Sequence, residues 1–232
     1  MRGLLHWFSH GSARVWGVPY NQCLLVFEDP VGRGYVKGPL GVEAIVLRPA
    51  LGDDHRRLED VRAQNRRFLS PWEASLPPKS TEQLPTLAQY QERCDREVRE
   101  GTTLPMMVEV DGEVAGLVTA SDMVRGALCS TSLGYWLAEK YAGQGIGTFV
   151  VAACIDLLIG ELGVHRVEIN IRPENGPSIG LVRRLGLRYE GVRERYMCIA
   201  GRWRDHASFA IDEQTLPEGG LVAALYGSSP SV

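Results

Sequence analysis

The sequence predicts an α/β (α+β) fold, in which a mixed β-sheet carries helices on its faces. Three observations support this prediction. Strand-length apolar runs alternate with helix-length segments between residues 44 and 211. Asp111-Gly112 separates two apolar runs, which is typical of a type I′ hairpin because that turn needs positive φ at both central residues. A glycine-rich loop joins another strand to an apolar helix, so the predicted order is β-α-α-β-β-β-α-β-α-β-β.

The composition is that of a globular protein with a sizeable core. The chain has 232 residues, of which 44% are hydrophobic and 23% are charged, so it fits one large domain or one domain with extensions. A net charge of -3 gives no strong attraction for nucleic acid or for an anionic membrane. The five cysteines are odd in number and show no Cys-X-X-Cys spacing, so neither a disulfide framework nor a metal site is expected.

The apolar segments are too short to indicate a membrane protein. Residues 149–159 form the most apolar helix candidate, which is shorter than a bilayer requires and contains Asp156. The apolar stretch at residues 4–8 is followed at once by polar residues, unlike a signal peptide. We therefore expect a cytoplasmic protein with no membrane or direct nucleic-acid partner, either a monomer or a homodimer.

The first part of the chain predicts an extension, one strand and two helices. Residues 1–41 lack clear periodicity and are interpreted as an extension of unknown role, with one short strand near residues 23–27. A core strand at 44–48 precedes a helix over 53–69 that Asp54 caps. A second helix within 81–100 is expected to begin near Leu84, because proline at position 85 is tolerated only in a first helical turn.

Turn residues delimit the remaining elements. An apolar helix over 148–162 ends at Gly163 and a short helix over 177–185 ends at Gly186, since glycine readily adopts the left-handed conformation that follows a helix. The remaining strands are expected at residues 106–110, 113–119, 132–139, 167–171, 192–199 and 203–211. The main domain is predicted to span residues 42–212, and residues 213–232 are predicted to be a poorly ordered tail.

The loop at residues 141–148, Tyr-Ala-Gly-Gln-Gly-Ile-Gly-Thr, indicates a binding site for a diphosphate. The first amides of a helix have no partner within it, and glycines let an anion approach the backbone closely. The spacing matches neither a P-loop nor the dinucleotide fingerprint. An ordinary tight turn is the alternative that this loop alone leaves open.

The segment that follows strengthens the diphosphate interpretation. Residues 172–191, RPENGPSIGLVRRLGLRYEG, together with the glycine loop make residues 134–191 resemble the GNAT N-acetyltransferases. Further segments resemble the RimJ/RimL branch, which acetylates the α-amine of ribosomal proteins (the alanine N-acetyltransferases); these segments are residues 68–75, 134–137, 165–168, 172–175 and 201–206.

The resemblance implies a GNAT fold, whose mixed sheet is mostly antiparallel, and acetyl-CoA as cosubstrate, without a metal. Two parallel strands, at residues 132–139 and 167–171, would splay apart so that pantetheine inserts between them. The acceptor would be the N-terminus of a protein, such as a ribosomal protein, or a small amine such as an antibiotic or metabolite. Residues implied in acetyl-CoA binding are Trp136, Leu137, Ala138, Gly143, Gln144, Gly145, Ile146, Gly147, Thr148, Asn175 and Ser178.

The catalytic residues are less fully specified by the resemblance. Ser178 stands where the RimJ/RimL branch carries a serine, and its hydroxyl would protonate the departing thiolate. The tyrosine that many relatives use for this step is Val182 here, and a strand glutamate found in some relatives is Asn170. Glu194 and Tyr196 lie near the expected position of a general base and are the candidates for that role.

Several of these residues also have structural alternatives. Trp136 and its neighbours are equally suited to core packing, and Asn175 is suited to capping the helix that follows it. Asp205-His206 is interpreted as bracing the last hairpin rather than as a catalytic pair. Because the usual base and tyrosine are missing, a non-catalytic acyl-CoA-binding module is the alternative from a different functional class.

Overall fold

The structure, a computed structural model, describes residues 14–15, 18–19, 23–37 and 41–227. Residues 1–13 of the predicted extension and residues 228–232 of the predicted tail lie outside the described residues. The main sheet has eight strands with helices against both faces, which confirms the predicted fold class.

The sheet is antiparallel except at one place. Two short strands, β1 (Arg14–Val15) and β2 (Val18–Pro19), form a separate ribbon. The main sheet consists of β3 (Leu25–Glu28), β4 (Ala44–Pro49), β5 (Leu104–Val110), β6 (Glu113–Val124), β7 (Ser130–Leu137), β8 (Arg166–Ile171), β9 (Arg188–Ile199) and β10 (Arg202–Asp212). Its strand order is β3-β4-β5-β6-β7-β8-β10-β9, and only β7 and β8 run parallel.

Six α-helices accompany the sheet in the described part of the chain. They are α1 (Asp54–Gln64), α2 (Arg66–Leu69), α3 (Leu87–Glu100), α4 (Ile146–Asp156), α5 (Gly176–Arg184) and α6 (Gly220–Tyr226). A π-helical turn, Leu157–Glu161, extends α4. Helix α4 is apolar on every side because it is enclosed, and each residue from Phe149 to Ile155 is at most 2% exposed.

Alternation along the strands divides the core between the two faces of the sheet. Met106 packs in the large cluster that contains α4, whereas Met107, its neighbour on β5, packs with Leu58 of α1 on the opposite face. Trp136 of β7 packs against this second cluster. Helices α1 and α4 therefore cover opposite faces, and β7 lies between them.

The Asp-Gly hairpin prediction is confirmed. Asp111 and Gly112 have φ values of 51° and 80°, and Val110 pairs with Glu113 across the turn. The Asp111 carboxylate also accepts hydrogen bonds from the amides of Glu43 and Ala44, each at 2.8 Å. The turn thereby holds the start of β4 beside the start of β6.

The predicted helix over residues 53–69 is wrong in its continuity, because it breaks at Asn65. The Asn65 side chain donates to the Val61 carbonyl oxygen at 2.8 Å and accepts from the Glu139 amide at 2.9 Å. Such local side-chain bonds compete with helical ones. Asp54 does not act as the N-cap; it accepts from the Leu51 amide and pairs with Arg48 at 2.6 Å.

Other boundaries also differ from the prediction: β7 ends at Leu137 rather than at residue 139, and β9 begins at Arg188 rather than at residue 192. Helix α3 begins at Leu87 rather than near Leu84, because Thr86 and Gln89 form a reciprocal capping box there. The tail predicted to be poorly ordered contains α6, whose Leu221 is 3% exposed. The Asp156 carboxylate accepts from the Leu221 and Val222 amides at 2.7 and 3.0 Å and so anchors this helix to α4.

Candidate active site

The gap between β7 and β8 is the central feature of the site. The two strands pair in parallel only at Ser130–Arg166, Thr131–Val167 and Ser132–Glu168. Beyond Ser132 they no longer pair, although β7 continues to Leu137 and β8 to Ile171. An extended chain therefore finds unpaired backbone on both sides of the gap, as the sequence-based interpretation requires.

The main chain of β7 determines which amides face this gap. The Ala138 amide donates to the Ala115 carbonyl oxygen at 2.8 Å, so it is not available to a ligand. Neighbouring amides of a strand point to opposite sides. The amides of Leu137 and Tyr135 therefore point away from β6 and into the gap. Of the three residues predicted to bind pantetheine, Trp136, Leu137 and Ala138, only Leu137 has an amide that faces the gap.

The glycine loop lies at the N-terminus of α4 and presents its amides outward. Gly143 and Gly145 have φ values of 75° and 87°, a conformation that few residues other than glycine adopt readily. No described residue accepts a hydrogen bond from the amides of the loop and first helical turn, namely Gly143, Gln144, Gly145, Ile146, Gly147 and Thr148. These amides fit an anionic ligand.

The side chain of Gln144 is positioned differently from the prediction. Its amide nitrogen donates to the Lys140 carbonyl oxygen at 2.6 Å, so the side chain closes the loop instead of facing its mouth. Lys140 is bound to the Glu113 carboxylate and also lies over the Tyr141 ring. The Gln144 side chain is uncharged, and the charge of the Lys140 ammonium is already paired with Glu113.

Loop, strand and helix converge at Gly147. A Cβ at this glycine would lie 3.4 Å from Leu181 of α5 and 3.5 Å from Leu137 of β7. Ser178 is one helical turn before Leu181, and Tyr135 is two residues before Leu137, so each lies on the same face of its element as that leucine. The structure thus brings Ser178, Tyr135 and the glycine loop together.

Tyr135 is one of the β7 residues beside Trp136 for which core packing was the structural alternative. Its hydroxyl oxygen is buried and has no hydrogen-bond partner of good geometry among the described residues. Burial raises the pKa of Tyr135 to about 12, while the nearby Ser178 hydroxyl opposes this rise. The phenol is therefore protonated near neutral pH. The alternation of β7 could have placed Tyr135 on the α5 face, but its missing partner is visible only in the structure.

The other residues predicted on α5 have clear structural roles. The Asn175 side chain accepts from the Ser178 amide at 3.2 Å and caps α5, as the structural alternative anticipated. Val182, where many relatives carry tyrosine, is 0% exposed and belongs to the core. Ser178 is thus the residue of α5 that can offer a hydroxyl to a ligand in the gap.

The candidates for a general base lie further away. Glu194 and Tyr196 are on β9, the edge strand, which β10 separates from β8; at the usual sheet spacing that is about 10 Å. Glu194 is paired with Arg195 and its side chain is 67% exposed. The Tyr196 ring packs against Arg193 and His206, with 5.0 Å between the Arg193 guanidinium carbon and the ring centroid. The described contacts of both side chains are with residues of β9 and β10, not with Ser178.

His206 occupies a buried structural position. Its Nδ1 lies 3.1 Å from the Arg204 carbonyl oxygen, and the residue is 4% exposed. Burial lowers the pKa of His206, so the imidazole is neutral near neutral pH. This agrees with the interpretation that the Asp205-His206 pair braces the hairpin, since the Asp205 carboxylate accepts from the Arg195 amide at 2.7 Å.

The polar face of β8 is already hydrogen-bonded. The Ser208 hydroxyl donates to the Asn170 side-chain oxygen at 2.6 Å, a pair that the sequence did not reveal. The Glu168 carboxylate pairs with Arg166 and Arg193 at 3.0 and 2.6 Å. Glu168 is therefore engaged by two cations and is a poor candidate for a base.

A groove of about 790 Å³ lies at the carboxyl end of β7, on its β6 side. It is distinct from the gap that faces β8. Its charged lining residues are of both signs: Arg57, Asp60, Glu113, Glu139 and Lys140. In the described part of the chain, no His, Cys, Asp and Glu side chains cluster as metal ligands would. No helix within the same residues is both long and apolar enough to cross a membrane.

Comparison with known proteins identifies the family. The sequence model of the acetyltransferase (GNAT) domain matches residues 44–188. The ribosomal protein uS5-alanine N-acetyltransferase of Escherichia coli is 30% identical over 177 residues, which cover 74% of this chain and 89% of that protein. The probable N-acetyltransferase YjcK of Bacillus subtilis is 32% identical over 55% of this chain and 72% of its own length.

A solved structure of a relative agrees with this family. Mycobacterium smegmatis RimJ, determined in complex with CoA-disulfide, superposes with a TM-score of 0.71 at 32% identity, covering 82% of this chain and 90% of that one. The relative thus holds a CoA derivative on a fold shared with this chain. The chain accordingly belongs to the GNAT family as a RimJ-like acetyltransferase, an enzyme that uses acetyl-CoA as its acetyl donor.

Proposed function

We propose that this enzyme acetylates the N-terminal α-amine of a protein in the cytoplasm, with a ribosomal protein as its natural acceptor. The similarity to the uS5-alanine N-acetyltransferase, which extends over 74% of the chain, is the observation that carries this proposal. The β7–β8 gap, with Ser178 and Tyr135 beside it, supplies the chemistry that acetyl transfer needs.

In this proposal, the open strand edges orient the thioester and the glycine loop binds its diphosphate. The Leu137 amide points into the gap, where it can bind pantetheine or polarise the thioester carbonyl. Gly143, Gly145 and the first turn of α4 offer the diphosphate amides that no residue in the described part of the chain accepts from. The substrate would thereby be fixed at both ends before the amine attacks.

Ser178 is proposed to protonate the leaving sulfur. As the amine nitrogen forms its bond to the carbonyl carbon, the C–S bond breaks and the sulfur takes the Ser178 hydroxyl proton. The proton that the nitrogen loses returns to Ser178 through water, so the net products are the acetylated amine and the free thiol. Tyr135, protonated because burial raises its pKa to about 12, would donate to the Ser178 oxygen and direct its proton at the sulfur.

Among the described residues no strong base has been placed beside Ser178, and this favours an α-amine acceptor. An α-amine has an ordinary pKa of about 7.7–8.0, against about 10.4 for lysine, so its neutral form costs about 3 kcal/mol less near neutral pH. Water can accept the proton in that case. The groove beside β7 mixes acidic with basic residues and pairs Glu113 with Lys140, so it lacks the dense negative charge that a polyamine would favour.

A panel of acceptors tests this proposal. Purified enzyme and acetyl-CoA are incubated with peptides that begin with alanine or serine, with the same peptides blocked at the α-amine but containing lysine, and with small amines. Released CoA is quantified and the site of acetylation is located by mass spectrometry. We expect turnover with the free α-amine peptides and none with their blocked counterparts.

The panel also separates the alternatives. Turnover with small amines alone would refute the protein acceptor but keep the enzyme class. If the protein binds acetyl-CoA but acetylates no acceptor, and circular dichroism verifies that it is folded, the result would favour the non-catalytic module. Blocked lysine peptides reacting as fast as free α-amine peptides would contradict the argument from amine pKa.

A further inference from the structure

A segment before the matched domain packs directly on the glycine loop. The Lys37 amide donates to the Gln144 carbonyl oxygen at 2.8 Å, and a Cβ on Gly145 would lie 3.6 Å from the Lys37 nitrogen. Nearby, the Tyr35 ring stacks on Phe149 of α4, with centroids 4.7 Å apart and planes 14° apart. The family match begins only at residue 44, so this segment lies outside it.

The glycine loop itself offers no cation to the two negative charges of a diphosphate. Residues 142–148 contain no lysine, arginine or histidine. The Gln144 side chain is turned back to Lys140, and the Lys140 ammonium is held by Glu113. The amides can hydrogen-bond an anion, but a point charge nearby would strengthen its binding considerably.

Lys37 is positioned to supply that charge. Its side chain is exposed, and no described carboxylate forms an ion pair with it. A lysine side chain spans about 6 Å from Cα to the ammonium, and the diphosphate would lie about 3 Å from the loop amides. Because the Lys37 backbone already touches Gln144 and Gly145, the mouth of the loop lies within the span of this side chain.

We propose that Lys37 binds the diphosphate of acetyl-CoA and supplies the positive charge that the glycine loop lacks. This inference rests on the proposed function of the loop and gives the N-terminal segment a role in donor binding. The main-chain bond from Lys37 to Gln144 does not depend on the side chain. Substitution at position 37 therefore changes the charge while it preserves the packing of the segment on the loop.

Calorimetry with related ligands tests the role of Lys37. Coenzyme A carries the diphosphate and an adenosine 3′-phosphate, 3′-dephospho-coenzyme A keeps the diphosphate alone, and pantetheine has the same thiol arm with neither. We compare the parent with Lys37→Ala, Lys37→Arg and Lys79→Ala, the last being an exposed lysine in a different loop. Lys37→Ala should weaken the binding of coenzyme A and of 3′-dephospho-coenzyme A alike, about fivefold to tenfold, and leave pantetheine binding unchanged. Lys37→Arg and Lys79→Ala should bind all three ligands nearly as the parent does.

Added salt provides a second readout. The difference between the parent and Lys37→Ala should shrink as salt rises from about 0.05 M to about 0.5 M, because screening weakens an exposed charge contact. Equal loss of affinity for coenzyme A and pantetheine, or no loss for 3′-dephospho-coenzyme A, would overturn the inference while leaving the site intact. A parent chain that binds no coenzyme A would instead remove the proposed function itself.

Discussion

Replacing Ser178 by alanine and Tyr135 by phenylalanine, singly and together, separates chemistry from folding at this site. The Ser178 amide, not its hydroxyl, donates to Asn175 at 3.2 Å, so alanine retains the cap of α5. Phenylalanine at 135 retains the ring and removes a buried hydroxyl without a good partner. Neither substitution should destabilise the fold, and Tyr135→Phe should leave it unchanged or slightly more stable.

The expected losses in rate follow from the proposed roles. A positioned proton donor contributes about 100-fold or more, so Ser178→Ala should lower kcat about 100-fold, or about 2.7 kcal/mol. A hydrogen bond that only orients Ser178 is worth about 1.4 kcal/mol, so Tyr135→Phe should lower kcat about tenfold. If Tyr135 acts through Ser178, the double variant should be no slower than Ser178→Ala alone.

Steady-state kinetics, calorimetry and thermal unfolding provide the three readouts. The dissociation constant of acetyl-CoA should change less than about twofold in each variant, because the proton is needed only as the C–S bond breaks. Tyr189→Phe on exposed β9 is the matched control and should behave as the parent. Equal losses in kcat and in acetyl-CoA affinity, or strictly additive losses in the double variant, would refute this reasoning.

Three further substitutions test how the fold supports the site. Gly116→Ala should destabilise the protein by about 1–3 kcal/mol and weaken the binding of coenzyme A, because its Cβ would lie 2.1 Å from the Trp136 carbonyl oxygen of β7. An unchanged melting temperature would contradict this. Asp156→Ala should cost about 1–3 kcal/mol and speed amide exchange at Leu221, so continued protection there would argue against the anchor. The pKa of His206 is lowered by burial, so its contribution to stability is present above the ordinary value of about 6.5 and is lost as pH falls through the lowered value. His206→Gln should keep acetyl transfer near the parent rate, and its melting temperature should fall less on acidification than that of the parent. A large loss of kcat at neutral pH would instead indicate that His206 is catalytic.

Some predictions succeeded because neighbouring residues contain the relevant constraint. Asp111-Gly112 fixed a hairpin since both residues adopt positive φ in the turn. The apolar run after Gly147 specified a buried helix, and Gly163 and Gly186 ended their helices with left-handed φ values of 66° and 74°. Boundaries failed where side chains compete locally: Asn65 interrupts a helix by bonding to the Val61 carbonyl oxygen, and no periodicity reveals this.

The amino-acid sequence by itself determined the order of the elements, the glycine loop and the family resemblance, because φ preferences and apolar periodicity act over a few residues. Only the tertiary structure decided which groups meet. It placed Lys37 on Gln144 and buried the Tyr135 hydroxyl near Ser178 with no well-aligned partner among the described residues. It also used Asp156 to hold the amide of Leu221, 65 residues later. The physical reason is that such contacts depend on how separate elements pack, and packing is a property of the whole core.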